Sequence, residues 1–217
     1  MKLLIIRPQP GADATADRVR AADHEPLLMP LFAAEPVDWE IPDDIEYDGL
    51  LITSANAIRH AGDKRSALEH LPVFAVGQNS ADVARSFGFQ IEYTGLGGVD
   101  KLLADIEARN LLWLAGEDRT EFQKPDDMEI ICRVVYRSAA LPIPQYFSEI
   151  LLSADHVLLH SARAAHRFEA LVSQQAIQKD AISIAALSGK IALAAGSGWA
   201  KVHVAAMPSD DALLSML

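Results

Sequence analysis

Tyr47-Asp48-Gly49-Leu50-Leu51-Ile52-Thr53-Ser54-Ala55-Asn56-Ala57 and Ala154-Asp155-His156-Val157-Leu158-Leu159-His160-Ser161-Ala162-Arg163-Ala164 follow one pattern. Each is an aspartate, a short apolar run and a serine that opens a segment of helical spacing. Apolar runs this short and unbroken suit strands buried on both faces of a parallel sheet. The following units agree as well: Val73-Phe74-Ala75-Val76-Gly77-Gln78-Asn79-Ser80-Ala81 matches Ile184-Ala185-Ala186-Leu187-Ser188-Gly189-Lys190-Ile191-Ala192. Both lead to a glycine and an aromatic residue, Gly88-Phe89 and Gly198-Trp199, and then to a strand and a closing helix. The chain therefore reads as an internal duplication.

Further strand-like runs are Leu3 to Ile6, Gln90 to Tyr93, Leu111 to Leu114, Ile130 to Tyr136 and Val202 to Ala205. Helical spacing lies between most of them, at Ala14 to Ala22, Ser80 to Phe87, Val99 to Ala108, Ala162 to Leu171 and Lys190 to Ala195. Alternation of strand and helix predicts an α/β fold with parallel sheets. The first copy is followed by Leu111-Leu112-Trp113-Leu114-Ala115-Gly116-Glu117-Asp118, whereas the second copy runs into the end of the chain. Its counterpart is at the other end of the sequence, Leu3-Leu4-Ile5-Ile6-Arg7-Pro8-Gln9-Pro10. Domain one is thus expected to be discontinuous, residues 1–34 and 143–217, with residues 38–133 as an inserted domain two. The crossings, residues 30–37 and 134–142, are strand-like and flanked by prolines. They are expected to pair as a two-stranded antiparallel linker, with a cleft between the lobes.

The 217 residues are 50% hydrophobic, too apolar for a disordered chain. With 19 basic and 30 acidic residues the net charge is -11, and no basic cluster interrupts the acidic background, which argues against nucleic acid. The apolar run at the N-terminus is too short for a signal peptide. The stretch Ile182 to Ala200 is broken by Lys190 and Gly196-Ser197-Gly198, so no membrane span is expected and the protein is placed in the cytoplasm. The single cysteine, Cys132, fits a reducing compartment.

In open parallel sheets, ligands bind beyond the carboxyl ends of the strands, where helix N-termini present unpaired N–H groups. Every candidate stands at such an end: Arg7, Ser54 and Asn56, Gly77 and Ser80, Arg119, Ser161 and Arg163, and Ser188 and Lys190. Two readings stand for each serine, a helix cap worth about 1 kcal/mol or a donor to a ligand. Tyr136, at the end of the returning crossing, is either a packed aromatic or a hydroxyl facing the ligand. Gly95-Leu96-Gly97-Gly98 has neither dinucleotide nor Walker spacing and reads as a turn before a helix. His156 and His160 would stand one turn apart in a helix, but their segment reads as a strand, where four residues span roughly 13 Å, too far for one ion, so a metal site with His166 is not expected. Cys132 lies within a strand and reads as an inert thiol. No nucleophile elbow or paired-carboxylate motif is present. No metal and no cofactor are expected.

Arg7-Pro8 after the first strand, Asp48 to Asn56, Val76-Gly77-Gln78-Asn79-Ser80-Ala81, Val135-Tyr136, and Val204-Ala205-Ala206-Met207-Pro208-Ser209 leading to Leu213-Leu214 occur in that order. Together they resemble the uroporphyrinogen-III synthase family along the whole chain. There are two departures: Ser80 stands where threonine is usual, and Ser188 to Ile191 replaces a Gly-Pro-x-Thr-like pattern, so the hydroxyl expected at Ile191 is absent.

The resemblance implies two flavodoxin-like lobes and a cofactor-free lyase that closes the linear tetrapyrrole hydroxymethylbilane. In that reaction the terminal hydroxyl leaves, the azafulvene is attacked through a spiro intermediate, and ring D is inverted before closure. The substrate closes unaided to the wrong isomer, so holding its two ends in one geometry is the main task, and proximity suits a chain with few catalytic motifs. A carboxylate-rich substrate is not drawn to a protein of net charge -11. Serine caps, helix N–H groups and Arg7, Arg119, Arg163 and Lys190 are then the expected local donors, with Tyr136 assisting departure of the hydroxyl. A monomer is expected. The competing reading is a two-lobed protein that binds or senses a small anion without turnover.

Overall fold

The computed structural model of the chain describes residues 1–42, 45–119 and 121–217. In chain order the first elements are β1 (Lys2–Ile5), α1 (Gly11–Ala21), β2 (Glu25–Leu28), β3 (Phe32–Pro36), β4 (Gly49–Ile52), α2 (Ala55–His60), β5 (Val73–Val76), α3 (Gln78–Ser86), β6 (Ile91–Gly95) and α4 (Val99–Asp105). They are followed by β7 (Asn110–Gly116), β8 (Glu129–Ala140), α5 (Phe147–Ser153), β9 (His156–Leu159), α6 (Ala162–Gln174), β10 (Ser183–Ala186), α7 (Gly189–Ala194), β11 (Lys201–Val204) and α8 (Asp210–Leu214). Two compact units result, Met1–Ala33 with Ala139–Leu217, and Ala34–Ser138.

The sheet of unit 1 has the order β11-β10-β9-β1-β2, with every neighbouring pair parallel. Numbered along the chain within that unit, this is the flavodoxin-like order 2-1-3-4-5. The second sheet has the order β3-β8-β7-β4-β5-β6, parallel from β8 to β6. Its five parallel strands follow the same spatial plan, with β4, β5, β6, β7 and β8 in the places of β9, β10, β11, β1 and β2. The two units are thus permuted forms of one sheet. Leu141 N donates to Leu31 O, and Val37 N donates to Val135 O. Moving along β3 therefore moves backwards along β8, the mark of an antiparallel pair.

The repeated aspartate has a structural duty. Asp48 accepts from the N–H groups of Arg109 and Asn110 at 2.7 and 2.8 Å, at the start of β7. Asp155 accepts from Lys2 N at 2.6 Å, at the start of β1, the equivalent strand. Both carboxylates thus hold the opening residues of the adjacent strand.

Strand alternation sends neighbouring residues to opposite faces, which is why these runs are apolar throughout. In unit 2, Leu50, Ile52, Leu112 and Leu114 join one buried cluster, and Leu51, Phe74, Leu111 and Trp113 another. In unit 1, Leu4, Ile6 and Val157 pack with Phe147 and Phe168 on one face, while Leu3, Ile5 and Leu158 meet Ala16, Val19 and Leu213 on the other. Among the described residues, no helix is long and apolar enough to cross a membrane.

Candidate functional site

Serines 54, 161, 188 and 209 start α2, α6, α7 and α8 from extended backbone, and each side chain accepts an N–H of the first helical turn. Such a cap satisfies a donor that the helix itself cannot. Because helix follows strand each time, the caps collect at the carboxyl ends of the strands.

In unit 2 the strand order changes direction between β4 and β7, and a cavity of about 420 Å³ opens there. It is lined by Thr53 and Ser54 after β4, Gly116, Asp118 and Arg119 at the end of β7, Gly98, Val99 and Asp100 at the start of α4, Val76, and Tyr136 on β8. Tyr136 Oη donates to Ser54 Oγ at 3.1 Å, and Ser54 Oγ also accepts from Asn56 N at 3.3 Å. The tyrosine ring is half-buried and lies directly over Gly116. Trp113 Nε1 donates to Thr53 Oγ1 at 3.1 Å, which ties β7 to the end of β4. The ring of His60 is 6.0 Å from that of Tyr136. Burial, with the charge of Arg59 added, holds the His60 imidazole below its ordinary value and so keeps it neutral near pH 7.

Tyr136, Ser54 and Arg119 are therefore brought together in one cavity. Arg119 is exposed, donates to the carbonyls of Gly116 and Glu117 at 3.5 and 3.3 Å, and has its guanidinium 5.7 Å from the Trp113 ring. Asn56, Gly77 and Ser80 do not line the cavity. Asn56 accepts from Arg59 at 3.2 Å, Gly77 precedes α3 with φ of 84°, and Ser80 is buried in the first turn of α3. Gly95 ends β6 and Gly98 precedes α4, so the glycine-rich segment is a turn. Burial pushes the Cys132 thiol up, away from thiolate formation.

The unit 1 candidates stand at the carboxyl end of its own sheet. Ser161 caps α6 through Ala164 N at 3.2 Å, and Ser188 caps α7 through Ile191 N at 3.4 Å. Arg163 lies 4.6 Å over the ring of Phe32. Lys190 is exposed in the first turn of α7. Arg7 follows β1 and donates to Thr15 Oγ1 at 3.1 Å, beside Asp210 and His160. Sequence spacing singles out neither Thr15 nor Asp210, and His160 only as a metal ligand to be set aside. Their juxtaposition joins positions far apart in the chain, so no local spacing announces it.

A wider hollow of about 770 Å³ is bordered by Met1, Lys2, Arg20, His24 and Asp155, at the amino ends of β1 and β9. That end of a parallel sheet presents no helix N-termini, so the smaller cavity is the stronger candidate. Among the described residues, no group of three or more His, Cys, Asp or Glu side chains is placed to hold a metal ion.

A family model described as Uroporphyrinogen-III synthase HemD matches residues 13–215. The chain belongs to the uroporphyrinogen-III synthase family. Membership makes it an enzyme of tetrapyrrole synthesis, acting in haem biosynthesis. The uroporphyrinogen-III synthetase of Helicobacter pylori 26695 has a similar structure, with a TM-score of 0.63 over 100% of this chain and 98% of that one, at 14% identity. At that identity the likeness shows the shared fold. The wild-type uroporphyrinogen III synthase of the extremely thermophilic bacterium Thermus thermophilus is 16% identical over 100% of this chain and 96% of that one, with a TM-score of 0.43. A sequence search of curated proteins finds no match.

Proposed function

We propose that the protein is a lyase that converts hydroxymethylbilane to uroporphyrinogen III, with loss of water and inversion of ring D through a spiro intermediate. The observation that carries this reading is the Tyr136–Ser54 hydroxyl pair in the unit 2 cavity. Ser54 already accepts the Asn56 N–H, and a hydroxyl has one proton and two lone pairs. If the rotors turn, Ser54 donates to Tyr136 Oη, and the Tyr136 proton becomes free for the leaving hydroxyl. That help stabilises departure while the azafulvene forms. A four-ring chain exceeds about 420 Å³, so the cavity holds only the reacting portion of the substrate.

Asp100 and Asp118 line the same cavity and repel carboxylates, but they accept pyrrole N–H groups well. Arg119 supplies the positive charge at its rim. Asn56, Gly77 and Ser80 belong to the same proposal as supports for the helix starts beside it. Arg7, Ser161, Arg163, Ser188 and Lys190 are proposed as carboxylate donors on unit 1. The working form is proposed to be a cytoplasmic monomer that needs neither metal nor cofactor.

Freshly prepared hydroxymethylbilane incubated with the purified protein, followed by oxidation and separation of porphyrin isomers, tests the proposal. Excess type III product supports it. Tight binding with only type I product returns the reading to a binding protein.

A further inference from the structure

The strand order of unit 1 changes direction between β1 and β9, and the chain places one of its own carboxylates there. Asp210, the first residue of α8, has a side chain only 5% exposed, and that of His160 is 4% exposed. His160 Nε2 meets Asp210 Oδ1 at 2.8 Å. Asp210 Oδ2 accepts from Thr15 Oγ1 at 2.8 Å and from Arg18 Nη1 at 3.2 Å, and Arg7 Nη1 stands 3.6 Å away. A buried carboxylate is tolerated when it is paired and hydrogen-bonded, and here α1 and the residues that follow β1 and β9 contribute the partners.

This cluster fixes Arg7 on two sides. Arg7 Nη1 donates to Thr15 Oγ1 at 3.1 Å, and the same hydroxyl donates to Asp210. The guanidinium also rests against Gly11, where an added Cβ would stand 2.6 Å from Nε and 2.8 Å from Cζ. With Nη1 directed at Asp210 and Thr15, the group is oriented, yet 33% of the Arg7 side chain remains exposed. A planar fork held in this way loses little freedom when its outward N–H groups take a planar anion.

We propose that Asp210, acting through Thr15, is a positioning residue that presets the Arg7 guanidinium to receive a carboxylate of the substrate. The inference rests on the tetrapyrrole reading above and adds the device that orients one of its anion contacts. Asp210 itself does not touch the substrate.

Steady-state kinetics with hydroxymethylbilane on Arg7→Ala, Asp210→Asn and their double variant test it. Arg7→Ala raises KM about tenfold, Asp210→Asn raises it about three- to tenfold, and kcat stays within about twofold. Because both act through one contact, the double variant is no worse in KM than Arg7→Ala alone. Additive effects, or an unchanged KM in Arg7→Ala, overturn the proposal. Thr15→Val keeps the buried charge pairs but removes the bridging hydroxyl, and it too raises KM; an unchanged value contradicts the bridge. NMR relaxation of Arg7 Nε–H gives a reading that does not depend on turnover. That group is rigid in the parent and mobile in Asp210→Asn, and equal mobility in the two overturns the proposal. Failure of the parent to form type III product, with Arg7 rigid as described, counts against the reaction instead.

Discussion

The ring of Tyr136 occupies the space that a side chain at position 116 would need. A Cβ on Gly116 would stand 2.6 Å from Tyr136 Cζ and 2.8 Å from Oη. The two residues are register partners across β7 and β8, beside an irregularity between Ala115 and Gly116. Gly116 thus lets the phenol lie flat over the strand end and reach Ser54.

Gly116→Ala is therefore expected to move the Tyr136 ring away from Ser54, at an overpacking cost of about 1–3 kcal/mol. The rate of type III formation falls at least as far as in Tyr136→Phe, and combining the two changes adds little. Rate assays on the three variants, with melting curves, check this. Full activity in Gly116→Ala would mean that the tyrosine position is immaterial.

Tyr136→Phe removes the hydroxyl and keeps the ring. General acid help is worth about 100-fold or more, but this hydroxyl departs readily unaided, so a smaller loss is expected. Single-turnover rates and the isomer ratio report it. No change in either would reduce Tyr136 to packing.

Acid should destabilise the protein in two stages. Burial keeps the His60 and His156 imidazoles below their ordinary values, assisted by the charges of Arg59 and His203. The unfolded chain binds these protons first, so stability begins to decline below about pH 6.5. Burial opposes the charge of Asp210, but hydrogen bonds from His160 and Thr15 and the charges of His160 and Arg7 outweigh it and hold the carboxyl well below its usual range. Its stabilisation is present above the unfolded value of about 3.9 and is lost as pH falls through the lower folded value. Melting temperatures across pH should show both declines, and Asp210→Asn should remove only the second.

Lys190 stands in the first turn of α7, next to Ile191, where the resemblance implies a hydroxyl that this chain lacks. It is exposed, and it makes no hydrogen bond or ion pair among the described residues. Lys190→Ala is expected to raise KM about tenfold with little change in kcat, since one charge-assisted contact is worth about 1.5–3 kcal/mol. Kinetics equal to the parent at low salt would return the lysine to solvent.

The parallel sheets were legible because β1, β4, β5, β7, β9 and β10 are buried on both faces and so read as unbroken apolar runs. β2 was not, because it is an edge strand, Glu25-Pro26-Leu27-Leu28, where solvent admits a glutamate and a proline. The seven-residue α5 also escaped, having no side-chain cap at Tyr146 to announce it. In the candidate site, Ser54 and Tyr136 were visible as a cap and a crossing residue. The lining role of Thr53, Gly98 and Asp100 depends on which strands and helices neighbour one another, which spacing alone does not encode. The same holds for Thr15 and Asp210, whose contact spans most of the chain.

The most direct test follows both porphyrin isomers over time, from hydroxymethylbilane with increasing amounts of chelator-treated protein. Spontaneous closure to type I serves as the internal clock. Type III formation that rises in proportion to protein and suppresses type I is the predicted result. A type I yield and rate unaffected by the protein at any concentration would contradict the assignment.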